Sequence, residues 1–368
     1  MAVLKVEFDN FLCFDNFSAD FSYPKKVVKT NLPNEFLSNY PNIRFKKVNI
    51  IVGSNASGKT SLGRAIWHTF MFLNKKEGNS LIELIKDPNK RTNILLDYIY
   101  SNGVFFRVEI RIEAGTKDIS VRLRGMRAQK YDSYESLVDR LDTNAQFENY
   151  ITALDRFEFH GWNFAFPSIE SGFDIIKCEH DEKDKKEFCQ IYESVLKTMD
   201  PSIKRAYPSR EVENSYIVDF YDGQSVAVTN GEKLSEIKKL SSGTKYAINI
   251  ADVIFSIKKH YNGFYFVDEQ FSYVNSDIEI ACLMKMISLL DDGEQLFFTS
   301  HNEELLALPL PNHTFNFISK VWDGDNTCIV WTNASIEKRN NVNIKNLYDN
   351  DFFNVSPDVN KILDIAEN

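Results

Sequence analysis

The chain has 368 residues, of which 43% are hydrophobic and 26% are charged, a composition typical of a globular protein with a sizeable core. Its formal net charge of -9 disfavours a protein that coats nucleic acid through overall positive charge. The five cysteines are scattered and form no C-x-x-C pair, which argues against a disulfide framework and a structural zinc site. Without a secretory leader or an apolar run of membrane-spanning length, we expect a cytoplasmic protein with no membrane contact.

Three segments lead up to the first motif. Apolar residues alternate with polar ones from Met1 to Phe21, which predicts two strands of a small sheet. The proline-containing polar stretch from Tyr23 to Asn42 predicts a surface excursion, in which Tyr40 is a candidate cover for an adenine ring. The apolar run from Val48 to Val52 then predicts a buried strand.

A glycine-rich loop follows this strand directly. Residues 53–60 read GSNASGKT, a full match to the phosphate-binding pattern G-x-x-x-x-G-K-[ST], and the residues after them predict a helix. In such a loop, backbone N–H groups point at phosphate oxygens at the positive end of the helix. Lys59 would add a charge there, and the Thr60 hydroxyl is a candidate Mg²⁺ ligand. We expect nucleotide contacts from Gly53, Asn55, Ser57, Gly58, Lys59, Thr60 and Ser61.

The middle of the chain changes from strands to helices. Apolar segments at 94–100, 104–112 and 119–123 predict an antiparallel meander, and Arg122 and Arg124 share one face of its last strand. A strand edge guarded by charges is the simpler interpretation of that face, and a surface for DNA phosphates is the alternative.

Helical patterns follow the meander and predict a helical insertion subdomain. The predicted helices cover 133–141, 145–154 and 182–199. Between them, the aromatic-rich segment 157–166 is more typical of a core than of a docking site. The strands on either side of Asp222-Gly223 predict a hairpin.

Two further motifs supply candidate nucleotide contacts and carboxylates. The sequence LSSGTK at 240–245 opens a predicted helix and forms a second candidate anion site, with Ser241, Ser242 and Gly243 as its residues. The run FYFV at 264–267 predicts a buried parallel strand that ends in Asp268 and Glu269. Asp268 is a candidate Mg²⁺ ligand, and Glu269 is the candidate catalytic base that polarises the attacking water.

A last apolar strand, at 295–299, ends in Ser300-His301-Asn302. A histidine at this strand end would face the same edge of the sheet as the phosphate loop. We therefore assign His301 as a catalytic residue that hydrogen-bonds the γ-phosphate.

Together, the ordered motifs GSNASGKT, LSSGTK, FYFVDE and FFTSHN resemble the Walker A, signature, Walker B and switch-histidine motifs of ABC-type ATPases. The opening LKVEFDNFLCF resembles the N-terminal strand pair of their RecF/SMC branch, and the resemblance extends from Leu4 to about Leu308. It implies an α/β P-loop NTPase of the ABC ATPase head type, with a mostly parallel core sheet, the antiparallel β meander and the helical insertion subdomain. ATP and Mg²⁺ are the implied cofactors.

The resemblance also implies a homodimer that sandwiches nucleotide head to tail and leaves higher assemblies open. Ser241 and Gly243 of one subunit would contact the γ-phosphate held by the other, so that ATP acts as a switch for closure. Residues 272–275 take the D-loop position, where Asn275 replaces the commoner aspartate or histidine. Gln129 is a candidate for the Q-loop glutamine.

The C-terminal part predicts a hairpin over 314–333, and the segment NIKNLYDNDFFNVSP at 343–357 is similar to the tail of stand-alone AAA/ABC ATPases of bacterial anti-phage systems. Members of that family commonly act with a separate effector nuclease, and this chain carries no nuclease motif. The resemblance therefore implies an ATP-hydrolysing switch or sensor in phage defence that recruits a nuclease and leaves a DNA contact open.

We divide the chain into four units: an N-terminal lobe with Walker A and the meander (1–125), the helical insertion (126–210), the C-terminal ATPase lobe (211–312), and a hairpin with a tail (313–368). The main alternative function is a RecF-like repair ATPase that ATP clamps on DNA. A transporter ATPase is disfavoured by the long separation between the phosphate loop and the signature. A protein that uses nucleotide only structurally is disfavoured by the intact carboxylates at 268 and 269.

Overall fold

Two six-stranded sheets organise the part of the chain that the computed structural model describes, which comprises residues 1–23, 32, 34–167, 182–211, 215–229, 242–322, 327–336 and 343–355. The strands are β1 (Ala2–Asp9), β2 (Phe17–Asp20), β3 (Phe36–Leu37), β4 (Tyr40–Arg44), β5 (Val48–Val52), β6 (Thr92–Ile99), β7 (Val104–Ile112), β8 (Ile119–Arg127), β9 (Glu148–Asn149), β10 (Trp162–Ala165), β11 (Ile203–Pro208), β12 (Ser215–Phe220), β13 (Ser225–Thr229), β14 (Phe264–Asp268), β15 (Gln295–Ser300), β16 (Phe315–Trp322) and β17 (Thr327–Asn333). The α-helices are α1 (Lys59–Lys75), α2 (Asn79–Ile82), α3 (Tyr134–Asp139), α4 (Tyr150–Ala153), α5 (Glu182–Met199), α6 (Ser242–Lys258), α7 (Ser276–Leu289) and α8 (Ile344–Asp349).

The first sheet is the mostly parallel one and runs in the order β10-β14-β15-β5-β16-β17. Every residue of β5, β14 and β15 is buried, which explains why these strands read as continuous apolar runs. Within β14, Phe264 and Phe266 face one core cluster, whereas Tyr265 and Val267 face another. The sheet is therefore covered on both faces, and the three predicted buried strands are confirmed.

The second sheet is antiparallel, in the order β2-β1-β6-β7-β8-β9. Residues of β1 alternate between the core and a more exposed face, as the sequence pattern predicts. The core face of this sheet packs with α1 and one face of the parallel sheet in a single apolar cluster. This arrangement confirms the predicted N-terminal strand pair and the meander.

The segment at 126–210 was predicted to be a helical insertion, but its described residues, 126–167 and 182–210, contain strands as well as helices. Helix α5 has the predicted bounds, but the helix expected over 145–154 is wrong, since α4 is one short turn after β9 with no buried residue. Strand β10 pairs in parallel with β14, with Phe164 opposite Phe266, and so belongs to the ATPase sheet. Its Phe164 packs against Phe70 and Phe264, which confirms that the aromatic-rich segment is core.

Both predicted hairpins are confirmed. Strands β12 and β13 pair antiparallel, and so do β16 and β17, although residues 323–326 of the second turn lie outside the described residues. Because β16 also pairs in parallel with β5, the C-terminal hairpin extends the ATPase sheet. Among the described residues, no helix is both long and apolar enough to cross a bilayer.

Candidate functional site

The predicted catalytic residues meet at the carboxyl edge of the parallel sheet. Strands β5, β15 and β14 are neighbours, with Val52 opposite Ser300 and Asp268 opposite Thr299. Each strand ends next to a predicted motif: the phosphate loop after β5, the carboxylates at the end of β14, and His301 after β15. The sheet register thus brings together residues that lie more than 200 positions apart in sequence.

The phosphate loop has the backbone that an anion site needs. Ala56 has φ 60 and Gly58 has φ 113, and Gly58 caps the N-terminus of α1. These left-handed residues turn the chain sharply into the 17-residue helix, so that the positive end of α1 lies in the loop. The Lys59 ammonium folds back over the loop and donates to the carbonyl oxygens of Gly53 at 2.8 Å and Ser54 at 3.1 Å.

Lys59, Glu269 and His301 form a compact polar cluster. The Glu269 Oε1 atom lies 2.9 Å from His301 Nε2 and 3.4 Å from Lys59 Nζ, and Lys59 Nζ lies 3.4 Å from His301 Nδ1. Burial would raise the pKa of Glu269, but the His301 hydrogen bond and the Lys59 charge hold it below its usual value. Desolvation by burial lowers the pKa of Lys59. Glu269 is therefore an ionised acceptor at neutral pH.

Glu269 also has an unusual backbone. Its φ of 44 lies in the left-handed region, and its N–H donates to the Thr299 hydroxyl at 3.1 Å and to the Thr299 carbonyl at 3.3 Å. A left-handed glutamate persists only where the surrounding structure enforces it. Here the neighbouring strand β15 holds the turn, which swings the carboxylate toward Lys59.

Asp268 is the carboxylate that suits a cation. It is fully buried, accepts a hydrogen bond from Thr299 at 2.6 Å and interacts with the Thr60 hydroxyl. Its Oδ2 atom is buried and lacks a hydrogen-bond partner within the described chain. Burial raises the pKa of Asp268 to about 6, so a positive charge at this carboxylate would relieve an unfavourable environment.

The donor set fits Mg²⁺ bound together with a nucleotide. Mg²⁺ binds through one or two carboxylates, waters and phosphates, and so does not need a dedicated protein cage. No group of three or more metal-binding side chains occurs in the part of the chain that the structure describes. Asp268 and Thr60 would hold the ion, and the buried Ser57 hydroxyl, which has no hydrogen-bond partner among the described residues, is a donor for phosphate.

The structure describes some of the other predicted nucleotide contacts and leaves Ser241 out. Asn55 is exposed at the tip of the loop and Ser61 lies in the first turn of α1, half-buried. Ser242 and Gly243 are the first two residues of α6. The prediction for Ser241 falls outside the described residues.

Two weaker candidates, Tyr40 and Gln129, lie near the amino ends of the parallel strands. The Tyr40 ring packs over Gly103, and its hydroxyl donates to the Asn102 carbonyl at 3.4 Å. Ala128, next to Gln129, donates to the Gly103 carbonyl at 2.8 Å. Since the adjacent Ser101 packs near Gly293, just before β15 begins, these residues lie at the amino ends of the strands. This location lies away from the phosphate loop of the same chain and does not support the candidate roles of Tyr40 as an adenine cover and Gln129 as the Q-loop residue.

A buried glutamate behind His301 is the site residue that sequence reasoning missed. Glu279 accepts hydrogen bonds from the Ser300 hydroxyl at 2.6 Å and the Asn302 amide at 2.9 Å. Its only sequence signal is its place in the first turn of α7, a common position for a solvated acidic residue. Asn275 in the D-loop position is the N-cap of α7 and accepts from the Asp277 N–H at 2.7 Å.

The two arginines considered for DNA contact are paired within the sheet. Glu109 lies opposite Arg122 on the neighbouring strand, and its carboxylate binds Arg122 at 2.6 Å and Arg124 at 2.5 Å. Burial would raise the pKa of Glu109, but these guanidinium groups hold it below its usual value. The face is thus not the charged strand edge that the sequence favoured, since β8 lies between β7 and the short β9, and its two arginines bind a carboxylate of the same sheet.

The fold and this cluster define an α/β P-loop NTPase. Residues 48–307 match the model of the family described as AAA domain, putative AbiEii toxin, Type IV TA system, and the chain belongs to that family. This match confirms the predicted class, an AAA/ABC-type ATPase, and the family implies nucleotide binding and hydrolysis.

Solved structures of SMC heads share the fold. One is an SMC head bound to the C-terminal winged-helix domain of ScpA, with a TM-score of 0.52 and 16% identity over 91% of this chain and 99% of that one. Another, from Pyrococcus furiosus, is an SMC head domain with an extended coiled coil bound to the C-terminal domain of ScpA, with a TM-score of 0.52 and 13% identity over 91% and 97%. A comparison with curated proteins finds no match. The predicted fold class is confirmed by these similarities.

Proposed function

We propose that the protein binds and hydrolyses ATP and that an ATP-dependent head-to-tail homodimer is its working state. The observation that carries the proposal is the cluster at the carboxyl edge of the sheet, where an ionised Glu269 lies between Lys59 and His301. A carboxylate within 3.4 Å of the phosphate-loop lysine is in reach of a water attacking a bound γ-phosphate.

Each residue of the cluster has a distinct role in this proposal. The loop N–H groups and Lys59 bind the phosphates, Glu269 orients and polarises the water, and His301 hydrogen-bonds the γ-phosphate. Asp268 and Thr60 hold Mg²⁺, which when bound neutralises charge that develops on the phosphates. Burial of Asp268 and Lys59 strengthens these electrostatic contacts by excluding water.

The dimer closes when Ser241 and Gly243 of one subunit contact the γ-phosphate bound by the other. Support comes from the family resemblance and from α6, whose N-terminus begins directly after Ser241. The protein acts in the cytoplasm as a switch or sensor, and we propose a role in anti-phage defence with a separate effector nuclease. That role is supported by the similarity of residues 343–357 to tails of defence ATPases and by the toxin-related family description.

The test is the variant Glu269→Gln, which keeps the shape of the side chain but removes its charge. We expect ATP hydrolysis to fall by about 100-fold or more, because general bases contribute that much, while ATP binding persists. Mass measurement should then detect a dimer that forms only with ATP and Mg²⁺.

The matched control adds Ser241→Arg to Glu269→Gln. The long cationic side chain blocks the contact in trans, so the double variant should bind ATP yet stay monomeric. A Glu269→Gln protein that hydrolyses ATP at the wild-type rate would refute the catalytic assignment. An ATP-independent mass for both proteins would refute the dimer switch while leaving the ATPase assignment intact.

A further inference from the structure

Glu279 lies on α7, outside the cluster of Lys59, Glu269 and His301, yet it binds both neighbours of His301. Its Oε1 accepts from the Ser300 hydroxyl at 2.6 Å and its Oε2 from the Asn302 side-chain amide at 2.9 Å. The residue is only 4% exposed. One buried carboxylate thus hydrogen-bonds the residues on both sides of His301.

These contacts belong to a closed hydrogen-bonded bracket. The Asn302 backbone N–H donates to the Ser300 hydroxyl at 2.9 Å, and the Asn302 side-chain oxygen accepts from the Glu304 N–H at 3.0 Å at the start of the next short helix. His301 lies between them with its side chain 37% exposed and its Nε2 at 2.9 Å from Glu269. Besides Glu269 and Lys59, which contact its ring nitrogens, the direction of this half-exposed imidazole depends on the backbone that the bracket fixes.

Glu279 is itself held by the start of α7. Its N–H donates to the Asn275 carbonyl at 3.2 Å, and Asn275 caps the helix through the Asp277 N–H. A carboxylate is rarely buried unless its oxygens are hydrogen-bonded, and the two oxygens of Glu279 meet this condition through Ser300 and Asn302.

The geometry points to Glu279 as a positioning residue that aims His301 at the reacting γ-phosphate. This inference rests on the proposed ATP hydrolysis and deepens it, since it names a residue that acts through His301 without touching nucleotide. An apolar side chain in place of Glu279 would leave Ser300 and Asn302 without their common acceptor. His301 would then lose its fixed direction.

The test uses two substitutions that together exchange the donor and the acceptor of the hydrogen bond between Asn302 and Glu279. Asn302→Asp keeps a side-chain oxygen for the helix cap but sets two carboxylates against each other, so the bracket should open. We expect kcat to fall about tenfold or more, because misplacing a reacting group by about 1 Å costs up to 100-fold, while the ATP dissociation constant stays within about twofold. Adding Glu279→Gln to this variant supplies an amide donor for the introduced carboxylate and should restore most of kcat.

The control Asp277→Asn removes a negative charge from the exposed side of the same helical turn and should leave kcat unchanged. Ser300→Ala removes the hydrogen bonds of the Ser300 hydroxyl with Glu279 and with the Asn302 N–H but introduces no repelling charge. It should therefore lower kcat by a smaller factor, which tests the inference even if Asn302→Asp does not fold. The inference is overturned if Asn302→Asp retains wild-type kcat, if ATP binding falls together with kcat, or if Glu279→Gln gives no rescue. Absence of turnover in the wild type, or full turnover in Glu269→Gln, would instead overturn the proposed function itself.

Discussion

Two adjacent carboxyl groups in this site have opposite pKa shifts because their surroundings differ. Asp268 is fully buried at the end of β14, and burial raises its pKa to about 6. For Glu269 burial acts in the same direction, but His301 and Lys59 outweigh it and lower the pKa. The pair therefore separates the roles of cation ligand and base by environment alone.

Asp268→Asn should make the protein more stable while it loses function. A folded-state pKa above the usual 3.8 means that the free energy of unfolding falls as the pH rises from about 4 to about 6 and stays lower above that range. Without Mg²⁺ at pH 8, the amide should therefore raise the free energy of unfolding by about 1 to 3 kcal/mol. Denaturant titration in a chelator measures this gain, which should vanish near pH 4.

A control for Asp268→Asn is the stabilisation that Mg²⁺ and ATP give to the variant and to the wild type. Mg²⁺ with ATP should stabilise the wild type strongly and the Asp268→Asn protein weakly, because the amide cannot replace a charged ligand. Equal stabilisation of both proteins, or a loss of stability in the variant at pH 8, would contradict the assignment of Asp268 as a buried cation ligand.

At the scale of elements, Gly53 joins strand β5 to the phosphate loop for a reason that the motif alone does not reveal. A Cβ atom there would lie 2.2 Å from the Ile318 carbonyl oxygen of β16, which is backbone and cannot move aside. Gly53 does not have a positive φ, in contrast to Gly58. The close approach of the C-terminal hairpin, and not the curl of the loop, requires glycine at this position.

Gly53→Ala should therefore push the loop and β16 apart. We expect a loss of about 1 to 3 kcal/mol in the free energy of unfolding, as for other overpacked sites, and weaker ATP binding. Gly115→Ala is the control, because Gly115 has φ 74 but open space around it and should cost only about 1 kcal/mol of backbone strain without any change in ATP binding. Thermal and denaturant unfolding with ATP titration distinguish the two variants, and wild-type ATP affinity in Gly53→Ala would contradict the argument.

Sequence patterns predicted correctly those strands in which every residue has the same buried environment. Strands β5, β14 and β15 are buried on both faces, so their apolar runs were readable, and the phosphate loop follows from its own residue types. Strand β10 is short and lies among helices, so its place in the sheet depends on its partner β14. Glu279 could not be predicted because its partners, Ser300 and Asn302, lie 21 and 23 positions away on another element.

At the scale of the whole molecule, the charge distribution argues against a DNA clamp built on the meander. The chain has a net charge of -9, and its best basic face consists of Arg122 and Arg124, both engaged by Glu109. Guanidinium groups held at 2.5 to 2.6 Å by a half-buried carboxylate would have to give up that contact to reach phosphates. We therefore expect these arginines to stabilise the antiparallel sheet.

The double variant Arg122→Ala/Arg124→Ala separates this view from the RecF-like alternative. Removal of both cations leaves Glu109 unpaired at 18% exposure, so the free energy of unfolding should fall by about 1 to 3 kcal/mol. Any affinity for duplex DNA should keep its dependence on salt concentration, whereas loss of two phosphate contacts would reduce the slope by about 2. Arg91→Ala, which breaks the exposed pair with Glu113, is the control and should change stability by less than about 1 kcal/mol. Unchanged stability together with a shallower salt dependence would favour the DNA-binding alternative, since only groups free to reach phosphate release counterions on binding.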